Sequence, residues 1–231
     1  MKPYLSTAEP AGSAPALARI VPFAVYLFFI FVADVLARLG YSAQDTRWLY
    51  GAKILAVGAA LTFYWRHYAE LAWHSMRASL LAASVALGLL VFVLWISLDA
   101  GWMQIGSAAG FDPRGAGGAV NWGLVALRIA GAALVVPVME ELFWRSFLLR
   151  WLDSPDFLSV RAAAVSLKAL AITVLLFGFE HNLWLAGMVA GLAYSLLYMR
   201  SGNLWAAIVA HGVTNGVLGA WIVATGNWHY W

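Results

Sequence analysis

The strongest constraint on this chain is the length of its apolar runs. Seven stretches, near residues 19–39, 46–65, 78–98, 119–152, 162–181, 183–200 and 203–225, carry very little charge. A helix that crosses the hydrocarbon core of a bilayer needs about 20 apolar residues. Charged residues make up 11% of the 231 and hydrophobic ones 63%. A soluble domain has about 25% charged and about 45–50% apolar residues. A water-soluble globule of this composition could not cover its surface, which excludes soluble enzymes, disordered proteins and nucleic-acid-binding modules. The sequence specifies an all-α, polytopic transmembrane helical bundle of seven or eight spans.

Residues 1–18 read as an N-terminal cytoplasmic tail and 19–231 as a single transmembrane domain. The first apolar run lacks a small-residue cleavage site and is expected to be a retained span. The basic residues give an orientation. Lys2, Arg19, Arg66, Arg77, Arg150, Arg161 and Arg200 fall on one side. Arg38, Arg47 and Arg114 fall on the other, with Asp45, Asp99 and Asp112. The N-terminus is therefore placed in the cytoplasm. Trp48, Trp65, Trp73, Trp102, Trp122, Trp151, Trp205 and Trp228 lie near span ends, as an aromatic belt would. The fourth run is too long for one straight crossing, and Pro137 is expected to kink it. The turn between the fifth and sixth runs is so short that it can sit inside the protein. The glycine-rich stretch 106–118 reads as a flexible connection. Gly187/Gly191 and Gly212/Gly216/Ala220 read as close helix packing. The chain has no cysteine, so disulfide and thiolate chemistry are excluded.

Ionisable residues at membrane depth need a partner or a task. Asp34 and Arg38 share a helix face and can pair. Lys53 and Lys168 can snorkel. Arg128 has no local partner and receives no role. Glu140 and Glu141 lie together inside an apolar run just after Pro137. Glu141 and Arg145 are four apart and can neutralise each other, while Glu140 points elsewhere. A lone carboxyl in a dry site can accept and donate protons near neutral pH. A buried ion-pair network explains this segment equally well. Two histidines on other runs, His181 and the pair His211-x-x-x-Asn215, add to the pattern. At about 1.5 Å per residue, Glu140 lies roughly 15 Å above Arg150, His181 roughly 20 Å above Lys168, and His211 roughly 16 Å above Arg200. The depths permit these groups to meet in a polar intramembrane cavity.

Together, Glu140-Glu141-x-x-x-Arg145, Phe177-x-x-x-His181 and His211-x-x-x-Asn215 resemble the motifs of the CAAX prenyl protease and bacteriocin-processing family. These are intramembrane glutamic-type endopeptidases. The resemblance covers about residues 119–225. It implies peptide-bond hydrolysis in the membrane, with Glu140 and His181 activating water and His211 and Asn215 donating to the oxyanion. Glu141 and Arg145 would orient these groups, and Phe177 belongs to the histidine motif. No cofactor is expected. The alternative is zinc held by Glu140, His181 and His211, although an HExxH helix is missing. The implied partners are membrane lipid and a peptide or membrane-protein substrate, with no nucleic acid. The oligomeric state is left open. The implied location is a bacterial inner membrane, and the chain is also similar to a branch associated with exosortase and PEP-CTERM systems. Competing readings are a non-catalytic peptide-binding or immunity protein on the same scaffold, a proton-coupled transporter, and a paired-histidine haem or quinone site.

Overall fold

Each apolar run forms one helix in the computed structural model, which describes residues 14–72, 76–106, 110–115 and 117–231. Most of the expected tail, with Lys2, lies outside the described residues, as do Trp73 and residues 107–109 and 116 of the glycine-rich connection. The helices are α1 (Ala14–Arg38), α2 (Trp48–Phe63), α3 (Ala78–Ser97), α4 (Trp122–Trp151), α5 (Leu167–Phe179), α6 (Trp184–Ser201) and α7 (Leu204–Thr225). Among the described residues the one β feature is an isolated bridge between Arg114 and Val120. The protein is an all-α helical membrane bundle. By length and composition α1, α3, α4 and α7 can each cross a bilayer, whereas α2 and α5 are apolar but shorter. Leu55, Phe63, Leu134 and Leu167 are largely exposed on the outer faces, as lipid contact requires.

The fifth helix is shorter than its apolar run. Residues 162–164 form a 3₁₀ turn instead, and Ser166 then caps α5. Ser166 Oγ accepts from the Ala169 amide at 3.1 Å, and the Ser166 amide and hydroxyl both donate to Asp153. At 13 residues, α5 spans only about 20 Å. In the turn from Glu180 to Leu183 that follows it, Glu180, His181 and Leu183 are half-buried and Asn182 is exposed. The glycine-rich connection is tied down in its described part. Ile105 and Asn182 exchange two hydrogen bonds at 2.8 and 2.9 Å, and the Phe111 amide donates to the Trp228 carbonyl.

The centre of the bundle is α7, which packs against α3, α4 and α6. Small residues bring these helices close. A Cβ on Gly191 would sit 3.0 Å from the Phe177 ring, and one on Gly212 would sit 2.8 Å from the Ala133 carbonyl oxygen. Asp34 and Arg38 pair at 2.7 Å on the exposed face of α1. Trp48, Trp65, Trp102, Trp122 and Trp151 are exposed near helix ends.

Two arginines do not behave as free loop charges. Arg19 is fully buried and donates to Glu70 at 2.5 and 3.1 Å and to Ser146 Oγ at 2.9 Å. Arg150 also reaches Glu70, at 3.3 Å, and Ser146 Oγ, at 2.8 Å. Ser146 in turn bonds to Glu70. One carboxylate between α2 and α3 thus joins α1 to the end of α4. Burial raises the pKa of Glu70, but the hydrogen bonds and charge of Arg19, with Ser146, outweigh it and hold the carboxyl below its ordinary value of 4.5. Replacing Glu70 by Gln strands two buried guanidinium groups and is expected to cost about 3 kcal/mol, read as thermal unfolding in detergent micelles. A depressed carboxylate contributes its full stability above the unfolded pKa and loses it as pH falls through the folded one. The wild-type melting temperature is therefore expected to drop on acidification below about 4.5, and Glu70→Gln to lack that component.

Candidate active site

The site begins with the backbone of α4. Residues Gly131–Val135 and Leu142–Leu148 are π-helical, flanking a short α-helical segment that contains Pro137. In the first π stretch the Val136 amide donates to the Gly131 carbonyl. The next residue in this pattern is Pro137, which has no N–H to offer Ala132. The Asn215 side chain supplies it, with Nδ2 donating to the Ala132 oxygen at 2.9 Å. Gly212, one turn earlier on α7, permits the close approach. Pro137 does not end the helix; its missing donor is answered from α7, which fixes where Asn215 lies.

The two adjacent glutamates separate as their spacing predicts. Glu141 is fully buried. Its Oε1 accepts from Arg145 Nη1 at 3.0 Å and pairs with His211 Nδ1 at 2.9 Å. Arg145 also donates to the Gly191 carbonyl at 3.3 Å, with its guanidinium 4.4 Å from the Phe177 ring centroid. The expected Glu141–Arg145 pair therefore forms, and it extends to a third helix. Glu140 is 4% exposed and makes no ion pair among the described residues, and its Oε2 is buried without a hydrogen-bond partner. Glu141 Oε2 is also unpartnered.

His181 stands in the turn after α5, which ends at Phe179 rather than at 181 as the apolar run suggests. Its Nδ1 lies 2.8 Å from the Phe177 carbonyl oxygen. A carbonyl can only accept, so Nδ1 carries the hydrogen and Nε2 is left as an acceptor. Trp95 packs edge-on at 5.3 Å and Phe177 at 4.9 Å from the imidazole. The His211 ring stacks on Tyr194 at 5.1 Å, and the Tyr194 hydroxyl donates to Thr214 Oγ1 at 2.7 Å. With Nδ1 held by Glu141, Nε2 is the His211 nitrogen left for the cavity.

Glu140, His181, His211, Asn215 and Phe177 line one cavity of about 360 Å³. Glu141 and Arg145 are buried behind its wall. Sequence reasoning missed several lining residues: Tyr26, Tyr50, Glu180 and Asp99, together with Arg128, which it noticed but gave no task. Glu180 had a usable signal, being a charge beside His181 in an apolar run. The tyrosines had none, because an aromatic in an apolar helix reads as packing. At the rim, the Tyr230 hydroxyl donates to Asp99 at 2.7 Å. Burial and Asp99 together push that phenol up to about 12, so it remains a neutral donor. Among the described residues no three His, Asp or Glu side chains come together as a metal-holding group. Glu140, His181 and His211 thus do not fit a three-ligand zinc site in this arrangement.

Residues 121–217 match the family model of the type II CAAX prenyl endopeptidases, Rce1-like. That stretch is similar to an Rce1-like domain. It starts at the cap of α4 and closes just past Asn215, so it takes in every motif residue and lies inside the stretch that carries the resemblance. The first three helices fall outside it. No curated protein and no solved structure matches the chain.

The two neighbouring glutamates are expected to differ sharply in their effect on stability. Glu141→Leu leaves Arg145 buried without its carboxylate and is expected to lower stability by about 3–5 kcal/mol. Glu140→Gln removes an unpaired buried charge and is expected to cost nothing or to stabilise. Thermal unfolding of both variants in the same detergent checks the contrast.

Proposed function

We propose that the Rce1-like domain hydrolyses a peptide bond within the membrane, using a water activated by Glu140 and His181. The observation that carries this reading is the Glu140 carboxyl, which lines the cavity with one oxygen buried and unpartnered. Such a group is costly to bury, and a water held between it and His181 Nε2 gives it a partner and a task. Glu140 takes a proton as the water oxygen attacks the carbonyl carbon. His181 Nε2 accepts a hydrogen bond from the other water O–H, which stays intact, and orients the attack. The tetrahedral oxyanion receives hydrogen bonds from His211 Nε2–H and from the second amide hydrogen of Asn215. Glu141 balances the charge of His211 while it donates. The carbonyl re-forms, the C–N bond breaks, and Glu140 returns its proton to the leaving amine. The steps use Glu140, His181, His211 and Asn215 from the cavity wall, with Glu141 behind it.

The substrate in this reading is a peptide or a membrane-protein segment reaching the cavity from the lipid. With the N-terminus in the cytoplasm of a bacterial inner membrane, the rim formed by Asp99, Asn182 and Tyr230 faces the extracytoplasmic side. Quenched-fluorescent apolar peptides incubated with the purified protein in micelles test the chemistry. Glu140→Gln is expected to lower kcat by at least about 10³, and Asn215→Ala by about 10²–10³ through loss of an oxyanion donor. Strong chelators are expected to leave the rate unchanged. Equal turnover by wild type and Glu140→Gln would remove Glu140 from the chemistry, and chelator loss with zinc rescue would replace the proposed mechanism.

A further inference from the structure

Two cations inside the bundle take no part in that reaction. Lys53, which its position suggests would snorkel outward, turns inward. Its Nζ lies 3.9 Å from the Tyr26 ring centroid and 5.2 Å from that of Tyr50. The Arg128 guanidinium lies 4.3 Å from the Tyr50 centroid and 5.1 Å from that of Phe111. Among the described residues neither cation makes an ion pair or a side-chain hydrogen bond. The contrast with the rest of the bundle is sharp, because Arg19, Arg145 and Arg150 each hold a carboxylate. Ring contacts alone do not replace the hydration that a buried cation gives up.

The surroundings of this pair suit an anion. Arg128, Tyr26 and Tyr50 line the same cavity as Glu140 and His181. Tyr50 is fixed by donating its hydroxyl hydrogen to the Arg128 carbonyl at 3.0 Å. The Tyr26 hydroxyl has no hydrogen-bond partner among the described residues and is free to donate. The cavity carboxylates Glu140 and Glu180 form no ion pair with either cation. A guanidinium presents a planar fork of donors that fits a carboxylate in bidentate fashion. Lys53 stands behind the two tyrosine rings and adds a second positive charge.

We infer that Arg128, backed by Lys53 and the Tyr26 hydroxyl, forms a subsite for a carboxylate of the bound peptide. Arg128 and Glu140 lie on one helix, roughly 18 Å apart along its axis. An extended chain covers about 3.3–3.6 Å per residue, so the carboxylate belongs within about five residues of the bond that is cut. It can be an acidic side chain or a free chain end. The inference rests on the proteolytic reading only for taking the ligand to be a peptide.

Binding tests it without requiring turnover. Fluorescently labelled apolar ten-residue peptides, with one Glu stepped along the chain and Gln isosteres as controls, are titrated against the full chain in neutral detergent. Each peptide is made with a free and with an amidated C-terminus. At least one acid is expected to bind about tenfold more tightly than its neutral partner. Arg128→Gln is expected to abolish the difference, Arg128→Lys to retain part of it, and Lys53→Gln to reduce it, with neutral peptides within about twofold throughout. A gain from Glu over Gln identifies a side chain as the source, and a gain from free acid over amide identifies the chain end. Equal or undetectable binding of acids and neutral partners overturns the subsite, as does a preference that survives Arg128→Gln. Displacement of all peptides alike by phosphatidylglycerol gives the cluster to a lipid phosphate and also overturns it. Cleavage of the same peptides, followed separately, reports on Glu140, so failure of the hydrolase reading shows itself independently.

Discussion

A proline cannot donate a backbone hydrogen bond, and the buried half of this bundle is arranged around that deficit. Pro137 leaves the Ala132 carbonyl without its helical donor in a place where water is scarce. The Asn215 amide fills the gap. That bond sets the rotation of α7 against α4 and places His211, one turn away, beside Glu141. Glu141 also holds Arg145, and Arg145 reaches across to the Gly191 backbone on α6. Three helices are thereby locked in register by a short chain of polar contacts that begins with an absent hydrogen. Glu140 stays outside this chain, and its freedom from partners is what separates it from its neighbour.

Much of this was legible in the sequence because the background is so apolar. The seven helices follow the seven runs, and Glu140, His181, His211 and Asn215 stood out because each is expensive at depth. The Glu141–Arg145 pair followed from helical spacing. The role of Pro137 was only half legible. A kink is a local property of α4, whereas the donor that answers it comes from Asn215, 83 positions away. Arg19 and Arg150 were read as topology signals because their partner Glu70 lies 51 and 80 positions off. Without those two arginines, the basic residues on the expected cytoplasmic side reduce, among the described residues, to Arg66, Arg77, Arg161 and Arg200. Lys53 was misplaced for a similar reason, since its attraction to Tyr26 and Tyr50 depends on how α1 and α2 face each other.

The cavity has a division of labour that spacing alone could not reveal. The carboxylate and imidazole groups sit toward the turn after α5, where Phe177 and Trp95 pack on the His181 ring. The unpaired cations sit toward the start of α4, over tyrosine rings. Charges of opposite sign thus line one space without forming an ion pair among the described residues. A bundle selected only for stability would be expected to let such groups meet or to remove them, because unpaired ions in a poorly hydrated interior oppose folding.

The Glu70 junction has a practical consequence for how this fold can be divided. The stretch that matches the family contains Ser146 and Arg150 but neither Glu70 nor Arg19. Excising it would cut through a salt-bridged seam and separate Arg150 from its counter-charge. The matched stretch therefore relies on residues outside it to complete that seam. The helices that no comparison matches act as its scaffold, and any minimal version of the protein must retain them at least from Arg19 through Glu70.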